Sequence, residues 1–120
     1  MPSARSGLEA FLRALATFQS APATPQGCLL VQGALTGSDD SKRVSKVMCD
    51  VRASGVEMIR QCLERGVKQG ELPADTDIEA LARYFGAVSN GVSVQAASGI
   101  PTEKLHETIS IAMRNWPEVS

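Results

Sequence analysis

Apolar residues recur every three to four positions along most of this chain, and that spacing predicts helices rather than strands. Leu8, Phe11, Leu12, Leu15 and Phe18 share one side of a helix expected over 6–19, opened by a Ser6/Glu9 capping-box pattern. A short second helix is expected over 26–36, where Leu29, Leu30, Val31 and Leu35 stand among few charges. The third, over 42–69, is the longest. At about 100° per residue, Val44, Val47, Met48, Gly55, Met58 and Cys62 fall within about 60° of Val51, and Val56, Ile59, Leu63 and Val67 form a flanking stripe. Lys42, Lys46, Glu57, Arg60 and Glu64 hold the opposite side, so this helix is expected to meet neighbours over two faces and keep one wet.

Thr76 with Glu79 three positions on opens a fourth helix, expected over 76–98. Its second half carries no charge on any side, which asks for more cover than an ordinary surface helix receives. A fifth helix, over 101–116, lines up Leu105, Ile109, Ala112, Met113 and Trp116 and stops before Pro117. Glycines and prolines punctuate the chain at 21–27, 37–41, 70–75 and 99–102. No polar–apolar alternation competes, so the expected fold class is all-α, a five-helix bundle.

The composition narrows function by exclusion. The chain has 120 residues, 43% of them hydrophobic, enough for one domain with its own core. Twelve Lys and Arg against 13 Asp and Glu leave a net charge of −1, which argues against this chain gripping DNA phosphates by itself. Cys28, Cys49 and Cys62 form no CxxC pair, and His106 is the only histidine, so no metal site is expected. Three free thiols suit a reducing cytoplasm. The uncharged run 84–102 is the nearest candidate for a membrane span, but it is broken by Ser89, Asn90, Ser93, Gln95 and Ser98, so no span is expected. Neither GxSxG, a phosphate-binding glycine loop, nor HExxH occurs, so neither an enzyme nor a cofactor is expected.

Two features could carry chemistry. Cys28 opens the second helix, where the helix dipole can favour a thiolate, as a thiol-based redox sensor requires; a small buried residue is the plainer reading. Met48, Gly55, Met58 and Cys62 combine flexible and missing side chains on one stripe. Such a stripe lines an adaptable apolar pocket or a filled core, and the sequence leaves both open.

The order of the pieces is specific. Gly27-Cys28-Leu29-Leu30-Val31, one long helix, the connector Gly70-Glu71-Leu72-Pro73-Ala74-Asp75, the run Asp77-Ile78-Glu79-Ala80-Leu81-Ala82, and Gly99-Ile100-Pro101 before Ala112-Met113-Arg114 together resemble the C-terminal half of TetR-family transcriptional regulators. The resemblance spans about residues 5–117. It implies a small-molecule effector-binding and dimerisation domain of a repressor, a homodimer whose last two helices from each subunit form an intermolecular four-helix bundle, and operator DNA reached only through a helix-turn-helix that these 120 residues do not include. The expected dimer contacts are Ala80, Ala87, Val88, Gly91, Val92, Gln95, Ile109 and Met113. The expected pocket for a small apolar effector is lined by Phe18, Cys28, Gln32, Val51, Gly55, Met58, Cys62, Tyr84 and Phe85, with Gln32 and Tyr84 as its polar contacts. A purely structural dimerisation module without a ligand is the alternative.

Overall fold

The computed structural model of the chain describes residues 3–20 and 39–119, with side chains given for 3–20 and 54–119. Four helices lie within those limits: α1 (Ala4–Gln19), α2 (Asp39–Lys68), α3 (Ile78–Ala97) and α4 (Thr102–Met113). No strand occurs among the described residues. These four are the first, third, fourth and fifth expected helices, while the short helix expected over 26–36 lies outside the described residues.

Each helix begins and ends for a local reason. Ser3, not Ser6, caps α1, its hydroxyl oxygen accepting the Ser6 N–H at 3.1 Å. Glu9 is not free to close a capping box with Ser6, because Arg5 and Arg13 both hold its carboxylate. Asp77 rather than Thr76 caps α3, with Oδ1 accepting the Ala80 N–H at 3.1 Å, and the Thr76 hydroxyl is spent on the Pro73 carbonyl at 2.6 Å. α2 and α3 end alike. Gly70 and Gly99 take φ of 79° and 87°, and the residue after each donates its N–H back five positions, Glu71 to Gly66 and Ile100 to Gln95. Only glycine adopts that backbone without strain, which is why the two connectors turn where they do. α4 stops at Met113, and a tighter turn then carries Trp116 inward.

The helices pack antiparallel in two readable pairs. Arg5 reaches the Met113 carbonyl, Arg13 reaches His106 and Ser110, and the Ser20 hydroxyl bonds Thr102, so α1 runs against α4 along its whole length. Arg60 faces Glu79, and Val56 faces Gly86, so α2 runs against α3. The core between them holds Leu8, Leu12, Ile59, Leu63, Phe85, Val92, Leu105 and Ile109. Each such side chain contributes about 1.5–3 kcal/mol by leaving water. Phe85 meets Tyr84 edge-on at 5.1 Å and Trp116 at 6.3 Å, and Trp116 closes that end by donating its indole N–H to the Glu71 carbonyl at 3.2 Å.

Of the two stripes expected on α2, the flanking one supplies core residues Ile59 and Leu63, with Val56 and Val67 packed against the core. From the Val51 stripe, Cys62 packs against the core and Met58 is 67% exposed. The two stripes stand about 100° apart, and helical periodicity alone does not say which one faces the chain's own core.

Candidate functional site

The outward side of α3 carries no charge beyond Arg83. Ala80, Ala87, Gly91, Val94, Gln95 and Ser98 are exposed there, flanked by half-buried Tyr84 and Val88, and the only charges on α3 are Glu79 and Arg83 near its start. The surface continues onto α4. Asn115 just beyond α4 donates to the Tyr84 hydroxyl at 2.8 Å, and helical spacing puts Ile111, Thr108 and Lys104 on the same side of α4 as Asn115. Val94 and Ile111, at 44% and 58% exposed, are the large apolar residues of this face.

Ala80, Ala87, Val88, Gly91 and Gln95 therefore share one surface. Val92, Ile109 and Met113, also expected at the dimer contact, are instead buried inside the subunit and have no surface to offer a partner. Their hydrophobicity serves the chain's own core. Val94 and Ile111, exposed on this side, were not among the expected contacts. Their angles around α3 and α4, about half a turn from the core residues Val92 and Ile109, were the signal that could have found them.

The expected effector residues separate into groups. Gly55, Met58 and Cys62 lie on one side of α2, and no described atom is within 4 Å of where a Cβ on Gly55 would stand. Phe18 and Phe11, 64% and 45% exposed, leave a similarly apolar side of α1 open. Phe85 is in the sealed core. Tyr84 belongs elsewhere, to a shallow groove of about 390 Å³ formed with Pro73, Asp75, Thr76, Asp77, Ala80, Leu81 and Pro117. Val51 sits on α2 with its side chain outside the described residues, as Cys28 and Gln32 are altogether; the thiol-sensor reading of Cys28 falls there too.

Cys62 is half-buried, its thiol directed to the Ala4 carbonyl at 3.5 Å. Burial pushes its pKa up, against a smaller opposing pull from the Arg65 guanidinium. A thiol held in that state is a poor nucleophile. On the wet side of α2, Arg60 bonds Glu57 and Glu64; hydrogen bonding from Arg60 lowers the Glu57 carboxyl, and both glutamates raise the guanidinium.

A polar lattice joins α1 to α4. Arg13 donates Nε to Glu9 at 2.9 Å, Nη2 to the Ser110 hydroxyl at 3.0 Å, and Nη1 to His106 Nδ1 at 3.0 Å and to the His106 carbonyl at 3.3 Å. An arginine only donates, so Nδ1 is the acceptor and the imidazole proton sits on Nε2, 3.2 Å from the Thr17 hydroxyl that receives it. No cluster of three or more His, Cys, Asp or Glu occurs among the described residues, and no described helix is long and apolar enough to cross a membrane.

The family of tetracyclin repressor-like C-terminal domains matches residues 4–109 of this architecture. The chain belongs to the TetR family of transcriptional regulators. It is similar to the HTH-type transcriptional repressor ComR of Escherichia coli (strain K12), 28% identical over 117 residues that make up 98% of this chain and 56% of ComR. Among solved structures it resembles the TetR family regulator CifR, seen as a cysteine mutant complexed with 26-base-pair operator DNA, at 38% identity and a TM-score of 0.91 over 98% of this chain and 61% of that one. A TetR-class protein from Rhodococcus sp. RHA1 is 31% identical, with a TM-score of 0.81 over 99% of this chain and 63% of its own. The chain thus spans little more than half the length of its TetR relatives, and the matched portion is their C-terminal domain.

Proposed function

We propose that this TetR-family domain dimerises through the outward side of α3 and α4 and takes up a small, mainly apolar effector beside α1, α2 and α3. Effector binding would favour one arrangement of the dimer and so set the spacing of attached helix-turn-helix heads on operator DNA.

The observation that carries this reading is the outward face of α3 beyond Arg83, which carries no charge. Small side chains at Ala80, Ala87 and Gly91 permit close helix approach, and Val94 and Ile111 supply apolar area that a monomer leaves in water. Gly91→Arg is the test. No described atom lies within 4 Å of a Cβ at Gly91, so the fold tolerates the change while the interface does not. Sedimentation at micromolar concentration is expected to give a dimer for the natural chain and a monomer for the variant. A monomeric natural chain refutes the proposal, as does a variant that dimerises unchanged.

The effector half of the reading is supported by Gly55, where no described atom lies within 4 Å of a Cβ. Gly55→Leu is expected to remove stabilisation by added apolar molecules in a thermal-shift series while changing the stability of the free protein by less than about 1 kcal/mol. A loss of about 1–3 kcal/mol, the cost of overpacking, means the stripe is filled and leaves a structural dimerisation module without a ligand.

A further inference from the structure

The groove beside Tyr84 is held in shape by bonds that leave its carboxylates free for other work. Thr76 turns the connector between α2 and α3 back on itself, its N–H and its hydroxyl both bonding the Pro73 carbonyl, at 3.1 and 2.6 Å. Beyond α4, the Trp116 indole on the Glu71 carbonyl ties the tail to the same connector and brings Pro117 into the groove wall. The Asn115 amide, 2.8 Å from the Tyr84 hydroxyl, pins the outer end of that ring. Two prolines and a pinned ring make walls that need little ordering when something binds.

The charges of the groove are of one sign. Asp75 and Asp77 line it and no lysine or arginine does; Arg83 precedes Tyr84 in sequence without joining the walls. Asp75 makes no ion pair or hydrogen bond with the described residues, and Asp77 spends Oδ1 on the Ala80 N–H while keeping a second oxygen. Leu81, Tyr84 and Pro117 make the facing wall apolar. A metal ion is poorly served, since two carboxylates leave most of its oxygen shell unfilled. An anion is repelled, and a neutral apolar molecule displaces water from the carboxylates and gives nothing back. A cationic head on an apolar body complements both parts, and about 390 Å³ is room for a small one.

We propose that this groove binds a small organic ammonium ion, its charged head beside Asp75 and Asp77 and its apolar body against Leu81, Tyr84 and Pro117. Tyr84 adds the attraction that an aromatic ring has for a cation. The site is separate from the effector stripe on α2, since neither Gly55 nor Met58 is among its walls. Ala80 and Tyr84 also border the dimer face proposed above, so an ion held here sits at the edge of that contact. The groove is open to water, so the ion pair contributes modestly and weakens as salt is added.

Benzylammonium and benzyl alcohol test this, being nearly the same shape and differing at pH 7 in charge. Each is titrated into the natural chain and followed by amide chemical shifts, which report both where it binds and how tightly. Benzylammonium is expected to move Ala80, Leu81 and Tyr84 and to bind about fivefold more tightly than the alcohol at low salt. Asp75→Asn, at an exposed side chain that bonds no described residue, is expected to keep the fold and the alcohol affinity while cutting the ammonium preference about threefold. Asp77 stays unaltered because it caps α3. Equal affinities for the two probes, a preference unchanged in Asp75→Asn, or shifts gathered at Gly55 and Met58 instead of the groove each overturn the proposal, as does a natural chain that binds neither probe up to its solubility limit.

Discussion

Replacing Glu71 tests whether the turn after α2 holds the start of α1. The Glu71 carboxylate accepts the Ala4 N–H at 2.9 Å and lies 3.5 Å from the Arg5 nitrogen, a link across 67 residues. Ala4 is fully buried, so its N–H has no water to fall back on. A hydrogen bond to a charged acceptor is worth about 1.5–3 kcal/mol, and the first turn of a helix favours a negative charge by about 0.3–1 kcal/mol. The 3.5 Å contact adds little at that length. Glu71→Ala is therefore expected to cost about 2 kcal/mol. Glu71→Gln, which keeps an acceptor oxygen and loses the charge, should cost about 1 kcal/mol. The Glu71 carbonyl that receives the Trp116 indole is main chain and survives both changes. Urea melts at one fixed protein concentration give the comparison, since association contributes to the stability of a dimer. High salt should narrow the gap between the natural chain and Glu71→Gln, because only the dipole part is screened. A Glu71→Ala protein within about 0.5 kcal/mol of the natural chain would refute the reasoning.

Two further outcomes follow from the packing and the thiol. A Cβ at Gly86 would stand 2.9 Å from Val56 Cγ2, so Gly86→Leu should lower stability by about 1–3 kcal/mol in the same melts; a neutral result means that α2 and α3 do not meet as closely as described. The raised Cys62 pKa means that its alkylation by iodoacetamide, followed at the Cys62 peptide by mass spectrometry, should be slow near neutrality and still climbing at a pH where an ordinary thiol has levelled off. A rate that levels off at or below the ordinary thiol range contradicts this. The sign for stability is the same: the folded chain keeps the proton longer, so this contribution is lost as pH rises past the ordinary thiol value.

Helix ends were the most legible part of the sequence, because they rest on local chemistry. Gly70 and Gly99 announced the two turns, and Pro101 the start of α4. The N-caps of α1 and α3 were missed by three residues and one, since each site offers two hydroxyl or carboxylate candidates and the choice depends on what else those groups bind. Burial was less legible. Two apolar stripes on α2 look equivalent until a neighbour selects one, and Val92, Ile109 and Met113 look like interface until the subunit's own core claims them. Arg13 and Gln19 left no periodic trace. A polar residue on a short helix reads as solvated, and only the folded bundle reveals that one is bonded four ways and that the other has its carboxamide oxygen sealed in without a partner.

Among the residues whose side chains are described, the ties from α2 to α1 gather near the C-terminal end of α2. Near its C-terminal end, Glu71 holds the start of α1, Gly66 lies against Ala4 and Leu72, and the Cys62 thiol points to the Ala4 carbonyl. These hold a 30-residue rod within about two turns of its C-terminal end. Val56 and Arg60 hold it to α3 at Gly86 and Glu79. The C-terminal half of α2 is thus a shared wall between α1 and α3, and a disturbance at the start of α1 is passed to α3 through one packed helix rather than absorbed in a loop.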